Sequence, residues 1–233
     1  MDYSDKPFIF ITGASRGIGQ FLLDTFRRDG YQVLGVYNST SPSQHTDYCY
    51  QLDITQYKEV GTFLEQHRAK MRNIVLLNAA GVSYNAVAHK AAIEDWSQVI
   101  DTNLKALFNL TSQLLPIMRE DGYGRIINFA SVVAQVGVIG TSAYAASKSA
   151  LWGLSRVLAV ENANKGITVN NINLGYFDIG MIEQVPEAIL TGIIQKIPAK
   201  RLGKPSEIDN TVRYIIDTPY LNGTSIDLNG GLF

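Results

Sequence analysis

Short apolar runs rich in branched residues alternate with longer segments of helical spacing along the whole chain. The runs lie at residues 8–12, 31–36, 73–77, 125–130, 167–173 and 225–228. Continuous apolar runs of this length are typical of strands that are buried on both faces. Strands that alternate with helices predict an α/β fold, a Rossmann-type doubly wound parallel sheet with helices on both faces. In such a sheet ligands bind beyond the carboxyl ends of the strands, so we expect the functional residues there.

The composition favours a compact cytoplasmic protein and argues against several other classes. The 233 residues are 46% hydrophobic and contain no repeat or charged linker, so we predict a single domain over 1–233. A net charge of −1 lacks the basic field that nucleic acid or an anionic membrane would need. Neither a signal peptide nor a membrane-spanning run is visible, and a lone cysteine, Cys49, gives no disulfide framework. The three histidines, His45, His67 and His89, are far apart, so we predict no metal site.

A glycine-rich turn, "TGASRGIG" at residues 12–19, follows the first strand and opens the first helix. Its glycines at 13, 17 and 19 permit a tight turn, leave room for a pyrophosphate against backbone N–H groups, and let helix and strand approach closely. The turn therefore predicts a dinucleotide site, the alternative being a tight turn without a ligand.

The end of the second strand favours NADPH (NADP) over NADH. Many NAD sites place an acid there to accept the ribose hydroxyls, but this chain reads "GVYNSTSPS". Asn38, Ser39 and Thr40 could donate to a 2′-phosphate, and Arg16 could supply the positive charge. The alternative for Arg16 is a solvated loop cation.

Tyr144 and Lys148 lie four residues apart in "TSAYAASKSAL", among mostly small side chains. On a helix this spacing places both on one face, where they can address the same point. A free phenol titrates near pH ~10, and a nearby ammonium lowers that pKa, which would make Tyr144 a usable general acid. The alternative is an ordinary surface pair of a helix.

Two further polar residues could complete this site. Ser131 ends the strand "RIINFAS", where its hydroxyl could bind a carbonyl oxygen that gains negative charge during reduction. Asn103, in "DTNLKALF", is predicted on a buried helix, with an amide that could hold a water beside Lys148. Either residue alone could equally be a cap or a satisfied core group.

The chain also contains, in this order, the motifs "LDIT", "NAAG", "TNL", "GITVNNI", "RLGKPSEI" and "LNGG". Together with the glycine turn, the serine and the Tyr-Lys pair, these motifs and their order resemble those of the short-chain dehydrogenase/reductase family. Within the family the chain is most similar to the 3-oxoacyl-(acyl-carrier-protein) reductases. The resemblance implies seven parallel strands, a homotetramer, and a catalytic tetrad of Asn103, Ser131, Tyr144 and Lys148. It also implies that Asp53 meets the adenine ring and that Lys148 binds the nicotinamide ribose. The full set of cofactor-binding residues predicted is Gly13, Ser15, Arg16, Gly17, Ile18, Gly19, Asn38, Ser39, Asp53, Ile54, Asn78, Ala79, Ala80, Gly81, Tyr144, Lys148 and Gly175.

The chain departs from the family pattern in three places. Ala79 replaces the second asparagine of N-N-A-G, and Leu174-Gly175 replaces P-G. The threonine that usually follows, and often touches the nicotinamide carboxamide, is absent from "GYFDIGM". Residues 176–197 should form a substrate lid, whose apolar side chains could cover an acyl chain or belong to an ordinary amphipathic helix.

The resemblance implies NADPH-dependent reduction of a 3-oxoacyl thioester, carrier-bound, in fatty acid or polyketide biosynthesis. Acyl carrier proteins are acidic, whereas Glu120 and Asp121 occupy a stretch that is often basic in these reductases. A second hypothesis keeps the chemistry with a polyketide intermediate, sugar, quinone or other small carbonyl as substrate. A third is a cofactor-binding regulator without turnover, against which the intact tetrad argues.

Overall fold

The fold is a seven-stranded parallel sheet, as predicted, in a computed structural model that describes residues 6–42 and 47–233. His45 lies outside the described residues. The strand order is β3-β2-β1-β4-β5-β6-β7. The strands are β1 (Phe8–Thr12), β2 (Val33–Tyr37), β3 (Cys49–Gln51), β4 (Ile74–Asn78), β5 (Gly124–Ser131), β6 (Ile167–Leu174) and β7 (Ser225–Leu228).

Six of the strands coincide with the six apolar runs, and the third strand does not. β3 has only three residues, Cys49–Gln51, and its last residue is exposed. It pairs with β2 at one edge of the sheet. A strand this short with one neighbour has no continuous apolar run, so only the family resemblance predicted a seventh strand.

Helices cover both faces of the sheet. They are α1 (Gly17–Arg28), α2 (Tyr57–His67), α3 (Ile93–Ile100), α4 (Leu107–Asp121), α5 (Val133–Val136), α6 (Ser142–Asn162), α7 (Glu187–Lys196) and α8 (Pro205–Asp217). Short 3₁₀ turns lie at Arg68–Lys70, Ala88–Lys90, Ala163–Lys165 and Gly180–Gln184, and a π-helical stretch, Asp101–Ala106, joins α3 to α4.

Two apolar cores fill the space between the sheet and its helices. On one face α2, α4 and α6 pack on the sheet through residues such as Phe63, Leu114 and Leu158. On the other face α1 and α8 do so, for example through Phe26 and Val212. The strands between them are buried on both faces, which accounts for their continuous apolar sequence.

Helix α1 buries one face and ends close to a glycine. Leu22, Thr25 and Phe26 are buried and Phe21 is partly buried. The helix ends at Arg28, and Gly30 follows with a φ of 79°, a conformation that glycine adopts without strain. None of the helices in the described part of the chain combines the length and apolar character needed to cross a membrane.

Candidate active site

The glycine turn packs directly on the end of β4. Gly13 has a φ of 66°, and a Cβ there would lie 2.8 Å from the Cα of Ala80. A Cβ on Gly19 would lie 2.2 Å from the carbonyl oxygen of Gly13. These contacts leave no room for side chains, so the glycines bring the N-terminus of α1 against the loop after β4.

The segment after β6 reaches over the same turn. A Cβ on Gly17 would come within 3.1 Å of the Cα of Gly180, and both glycines have positive φ. Gly180 begins a 3₁₀ turn that precedes α7. The region predicted as a lid, 176–197, therefore contacts the predicted pyrophosphate turn through Gly180. No sequence pattern other than the glycine itself points to this contact.

The predicted adenosine end of the site lies beside a surface cavity of about 620 Å³ that Asn38 and Asp53 help to line. One oxygen of Asp53 accepts hydrogen bonds from the amide and the hydroxyl of Thr55, at 2.9 and 2.8 Å. Gln51 donates to the carbonyl of Asn38 at 2.9 Å and so ties the loop after β2 to β3. The side chains of Arg16, Ser39 and Thr40 are exposed. The exposed donors of Arg16, Ser39 and Thr40 are of the kind that binds the phosphate and ribose groups of a dinucleotide. The glycine turn at 12–19 contains no acidic residue that would repel them.

The "NAAG" motif begins at the end of β4 and is held by its neighbours. The hydroxyl of Thr12 accepts a hydrogen bond from the amide of Ala80 at 3.0 Å. Asn78 is buried and donates from Nδ2 to Oδ1 of Asn128 at 2.8 Å. The Oδ1 atom of Asn78 is buried without a partner among the described residues. A buried acceptor of this kind is a candidate contact for a polar ligand group.

Tyr144 and Ser131 come together where β5 ends and α6 begins. Ser131 is the last residue of β5, and Tyr144 lies in the first turn of α6. Their side chains share a hydrogen bond, although thirteen positions separate them in the sequence. The serine hydroxyl also accepts from the amide of Val133 at 3.2 Å. A carbonyl oxygen at this point could therefore contact both hydroxyls.

Lys148 lies one turn along α6 from Tyr144, as the spacing predicted. Its Nζ is 5.6 Å from the centroid of the Tyr144 ring and donates to the carbonyl of Phe129 at 2.7 Å. The residue is only 5% exposed. Burial lowers the pKa of Lys148 to about 8, because a desolvated ammonium is disfavoured.

The prediction that Lys148 lowers the pKa of Tyr144 was wrong for the protein without a bound ligand. Burial raises the pKa of the Tyr144 phenol above its usual 10, and the hydrogen bond with Ser131 lowers it by less. The Lys148 ammonium does not offset the effect of burial. Tyr144 thus holds its proton throughout the neutral range. The spacing of Tyr and Lys in the sequence showed proximity but could not show burial.

Asn103 sits at the centre of the π-helical stretch and is fully buried. Its Oδ1 accepts from the amide of Val82 at 2.8 Å, and its Nδ2 donates to the Val82 carbonyl at 2.9 Å and to Ser147 Oγ at 3.1 Å. Both amide hydrogens are therefore engaged. A water beside Lys148 could reach only the remaining lone pair of Asn103 Oδ1. Ser147, which sequence reasoning missed, fixes Asn103 to α6.

Gly81 lies between Asn103 and Lys148. A Cβ at this position would be 3.4 Å from Asn103 Oδ1 and 3.6 Å from Lys148 Nζ. The structure therefore brings the four predicted catalytic residues and the end of the "NAAG" motif into one region.

Gly175 has a different environment. Its amide donates to the Leu228 carbonyl at 2.9 Å, and a Cβ would lie 2.6 Å from the Cα of Asn229. This glycine allows β6 to approach the end of β7.

The remaining predicted cofactor residues are distributed along the same edge. Ser15 and Ile54 are buried, and Ile18 and Ala79 are partly buried. The carbonyl of Ile54 accepts from Asn109 Nδ2 at 2.8 Å, so α4 anchors the loop after β3. Within residues 6–42 and 47–233, no three His, Cys, Asp or Glu side chains converge on a point where a metal could bind.

Comparison with known proteins agrees with this geometry. The family described as short chain dehydrogenase matches residues 7–189. The chain belongs to the short-chain dehydrogenase family. It is 36% identical to the acetoacetyl-CoA reductase of Rhizobium meliloti, over 96% of this chain and 97% of that protein. It is 34% identical to the 3-oxoacyl-(acyl-carrier-protein) reductase of Escherichia coli, over 100% of this chain and 99% of that protein.

A solved structure shows the same fold. The crystal structure of a candidate gluconate dehydrogenase from Agrobacterium tumefaciens superposes with a TM-score of 0.87 at 27% identity, covering 97% of this chain and 95% of the other. The short-chain dehydrogenases are oxidoreductases that use nicotinamide cofactors.

Proposed function

We propose that this protein is an NADPH-dependent reductase of 3-oxoacyl thioesters. One observation carries the proposal: Ser131, Tyr144 and Lys148 meet at the carboxyl end of β5, at the edge of the sheet where the glycine turn follows β1. A nicotinamide site next to a hydrogen-bonded serine and tyrosine is suited to carbonyl reduction.

The residues that would hold the dinucleotide lie along that edge. The glycine turn at 12–19 would bind the pyrophosphate, Asp53 the adenosine, and Lys148 the nicotinamide ribose. Arg16 and Asn38 would bind the 2′-phosphate, since no acid follows β2 to repel it. When bound, the reduced nicotinamide supplies a hydride to the carbonyl carbon.

The chain itself supplies the proton. Tyr144 donates its phenolic proton to the carbonyl oxygen, so that the ketone becomes a hydroxyl, and Ser131 orients that oxygen. The raised pKa of Tyr144 keeps the donor loaded at neutral pH. Lys148 and a water near Asn103 then return a proton to the phenolate from solvent.

The thioester assignment rests on the relatives, which are named as acetoacetyl-CoA and 3-oxoacyl-(acyl-carrier-protein) reductases. The choice between the two carriers depends on charge. The exposed Glu120 forms an ion pair with Arg68, and Asp121, whose side chain is only 3% exposed, forms one with Arg72. These pairs reduce the positive field available to an acidic carrier protein, and a small thioester needs no such field.

The experiment measures the rate of NADPH oxidation with each substrate of a panel. Acetoacetyl-CoA, acetoacetyl-acyl carrier protein, free 3-oxo acids and 5-keto-sugar acids would be compared at equal concentration. We expect both thioesters to exceed the other ketones in kcat/KM by at least about tenfold, the discrimination that a few specific contacts provide. A sugar acid as best substrate would instead favour the second candidate, which the structural match to a candidate gluconate dehydrogenase supports.

The preference for NADPH is tested at Arg16. We expect Arg16→Ala to weaken NADPH binding about tenfold, the effect of one lost charge-assisted contact, with little change for NADH. Arg28, an exposed arginine at the other end of α1, gives the matched control Arg28→Ala. Fluorescence titration with both cofactors is the measurement. Equal weakening of NADH and NADPH would contradict a 2′-phosphate contact.

A further inference from the structure

A chain of hydrogen bonds joins four elements at the edge of the sheet. The indole Nε1 of Trp152, on α6, donates to Oδ1 of Asn173 on β6 at 2.9 Å. Asn173 Nδ2 donates to Oδ1 of Asp227 on β7 at 2.7 Å. Gln135 Nε2, on α5, donates to the same carboxylate oxygen at 2.8 Å. The Asp227 carboxylate thus ties α5 to β6 and, through Asn173, to α6.

Both ends of this network lie on segments that carry proposed catalytic residues. Trp152 is one turn beyond Lys148 and two turns beyond Tyr144, on the same side of α6. Gln135 is four residues after Ser131, in the short helix α5. The network is therefore one link between the segment that follows Ser131 and the helix that carries Tyr144.

The first part of the covalent connection between α5 and α6 is exposed, whereas the carbonyl of Gly140 near its end accepts a hydrogen bond from the amide of Ala86 at 2.9 Å. Residues 137–139 are exposed, and a Cβ on Gly137 would meet no atom within 4 Å. Gly137 and Gly140 both have positive φ. An exposed loop of this kind holds its two ends less firmly than packed elements do. The hydrogen bonds of Asp227 therefore help to set the distance between α5 and α6.

The hydrogen bond between Asn173 and Asp227 lies one residue before the level of Ser131 in the sheet. Asn173 pairs with Asp227 in the register of β6 and β7. The next residue of β6, Leu174, pairs with Ser131 on one side and with Leu228 on the other. Asn173 is 2% exposed, so its amide has few other partners within reach. Asp227 itself is exposed, so loss of the carboxylate would remove the protein partner of the Asn173 amide and open that amide to solvent directly beneath the site.

We propose that Asp227 is a positioning residue for proton transfer, holding the segment that carries Ser131 and the helix that carries Tyr144 in fixed relation. The inference rests on the proposed function of that site. A misplacement of well under 1 Å between reacting groups is enough to slow a reaction, so the effect should fall on kcat. The contacts proposed for the pyrophosphate and the adenosine lie at the glycine turn and at Asp53, on the other side of β4, and should be unaffected.

The kinetic test compares Asp227→Ala, Asp227→Asn, Trp152→Phe and the double variant Asp227→Ala/Trp152→Phe. We expect Asp227→Ala to lower kcat about tenfold, with KM for NADPH changed less than about twofold. Asp227→Asn keeps an accepting oxygen and should recover most of kcat. The double variant should be no slower than Asp227→Ala, because both changes break one network. Glu65, an exposed acid on α2, gives the charge-matched control Glu65→Ala.

Unchanged kcat in Asp227→Ala, additive effects in the double variant, or an Asn variant as slow as the Ala variant would each overturn the proposal. A spectroscopic readout keeps this test separate from the proposed function. The chain has two tryptophans, Trp96 and Trp152, so a ¹⁵N-¹H spectrum has two indole signals. Asp227→Ala should move the Trp152 signal and leave that of Trp96 in place, and an unmoved Trp152 signal overturns the network. A wild-type protein that reduces no carbonyl of the panel contradicts the proposed function instead.

Discussion

At the scale of single residues, Lys148 shows the strongest conflict between stability and function. Its ammonium is buried, and its pKa falls from 10.5 to about 8. Between these two values the unfolded chain binds more protons than the folded one, so stability rises as pH increases through that window. Below about pH 8 the full cost of burying the charge is present, and the difference in pKa corresponds to about 3 kcal/mol.

We therefore expect Lys148→Met to be more stable than the parent at pH 7, by about 1–3 kcal/mol after the loss of the bond to Phe129 is subtracted. The gain should shrink at pH 9.5. Urea unfolding at both pH values measures it, with the exposed Lys58→Met on α2 as control. A variant that is destabilised at pH 7, or whose advantage grows with pH, would show that burial of the charge is not the dominant effect. Turnover should be lost in Lys148→Met at either pH.

Substitution of Gly81 tests whether the space beside Lys148 is needed for catalysis but not for folding. A methyl group there would make ordinary contacts with Asn103 and Lys148, so we expect Gly81→Ala to fold with a thermal midpoint close to that of the parent. The same methyl would occupy space beside the Lys148 ammonium, and we expect kcat/KM to fall about tenfold or more. Gly153→Ala on α6, where a Cβ meets no atom within 4 Å, is the control. Normal turnover in Gly81→Ala would mean that this space is not used.

Residue types and spacings in the sequence located the candidate catalytic residues but not their electrostatics. The prediction that Lys148 lowers the phenol pKa failed because the outcome depends on how deeply Tyr144 is buried. Burial at this point results from the packing of α6 on β5, which no local spacing records. For the same reason, the engagement of the Asn103 amide by Val82 could not be foreseen.

At the scale of elements, a row of polar side chains crosses the buried sheet and anchors α6. Asn78, Asn128, Asn171 and Ser225 occupy paired positions on β4, β5, β6 and β7. Ser155 on α6 accepts from Asn128 at 2.9 Å and donates to Asn171 at 2.7 Å. The catalytic helix is therefore fixed to β5 and β6 by directional bonds as well as by apolar packing.

Ser155→Ala should leave Nδ2 of Asn128 and Oδ1 of Asn171, both buried, without the hydroxyl that pairs them, and reduce the free energy of unfolding by about 2 kcal/mol. Ser149 is the matched control on the same helix, because its hydroxyl bonds only to the Ala145 carbonyl one turn back. We expect Ser149→Ala to change stability by less than about 0.5 kcal/mol. The free energy of unfolding of the parent protein, Ser155→Ala and Ser149→Ala is measured with a denaturant. Equal stability of the two variants would contradict an anchoring role of Ser155.

Elements with a strong periodic pattern were predictable, and elements defined by their neighbours were not. The runs at 8–12 and 225–228 match β1 and β7 residue for residue. β3 was missed because three residues with one exposed end do not form a pattern. The π-helical stretch at Asp101–Ala106 was also unpredictable, since it depends on the bonds that Asn103 makes to another loop.

At the scale of the whole molecule, fold and site follow from a single arrangement. Parallel strands place all their carboxyl ends at one edge, so residues 12–19, 78–81, 131 and 144–148 meet although they are distant in sequence. This consequence of topology was predictable from alternating strands and helices. The contact of Gly180 with the glycine turn, and the tie through Asp227, were not, because each joins segments that share no sequence pattern.

The proposed reduction depends above all on Tyr144, which gives its proton to the carbonyl oxygen. The most direct measurement is NADPH oxidation with acetoacetyl-CoA by Tyr144→Phe, together with NADPH binding followed by fluorescence. We expect kcat to fall by about a thousandfold, the scale of general acid catalysis, while the Kd for NADPH changes less than about twofold. Turnover within tenfold of the parent protein, with NADPH still bound, would show that another group donates the proton.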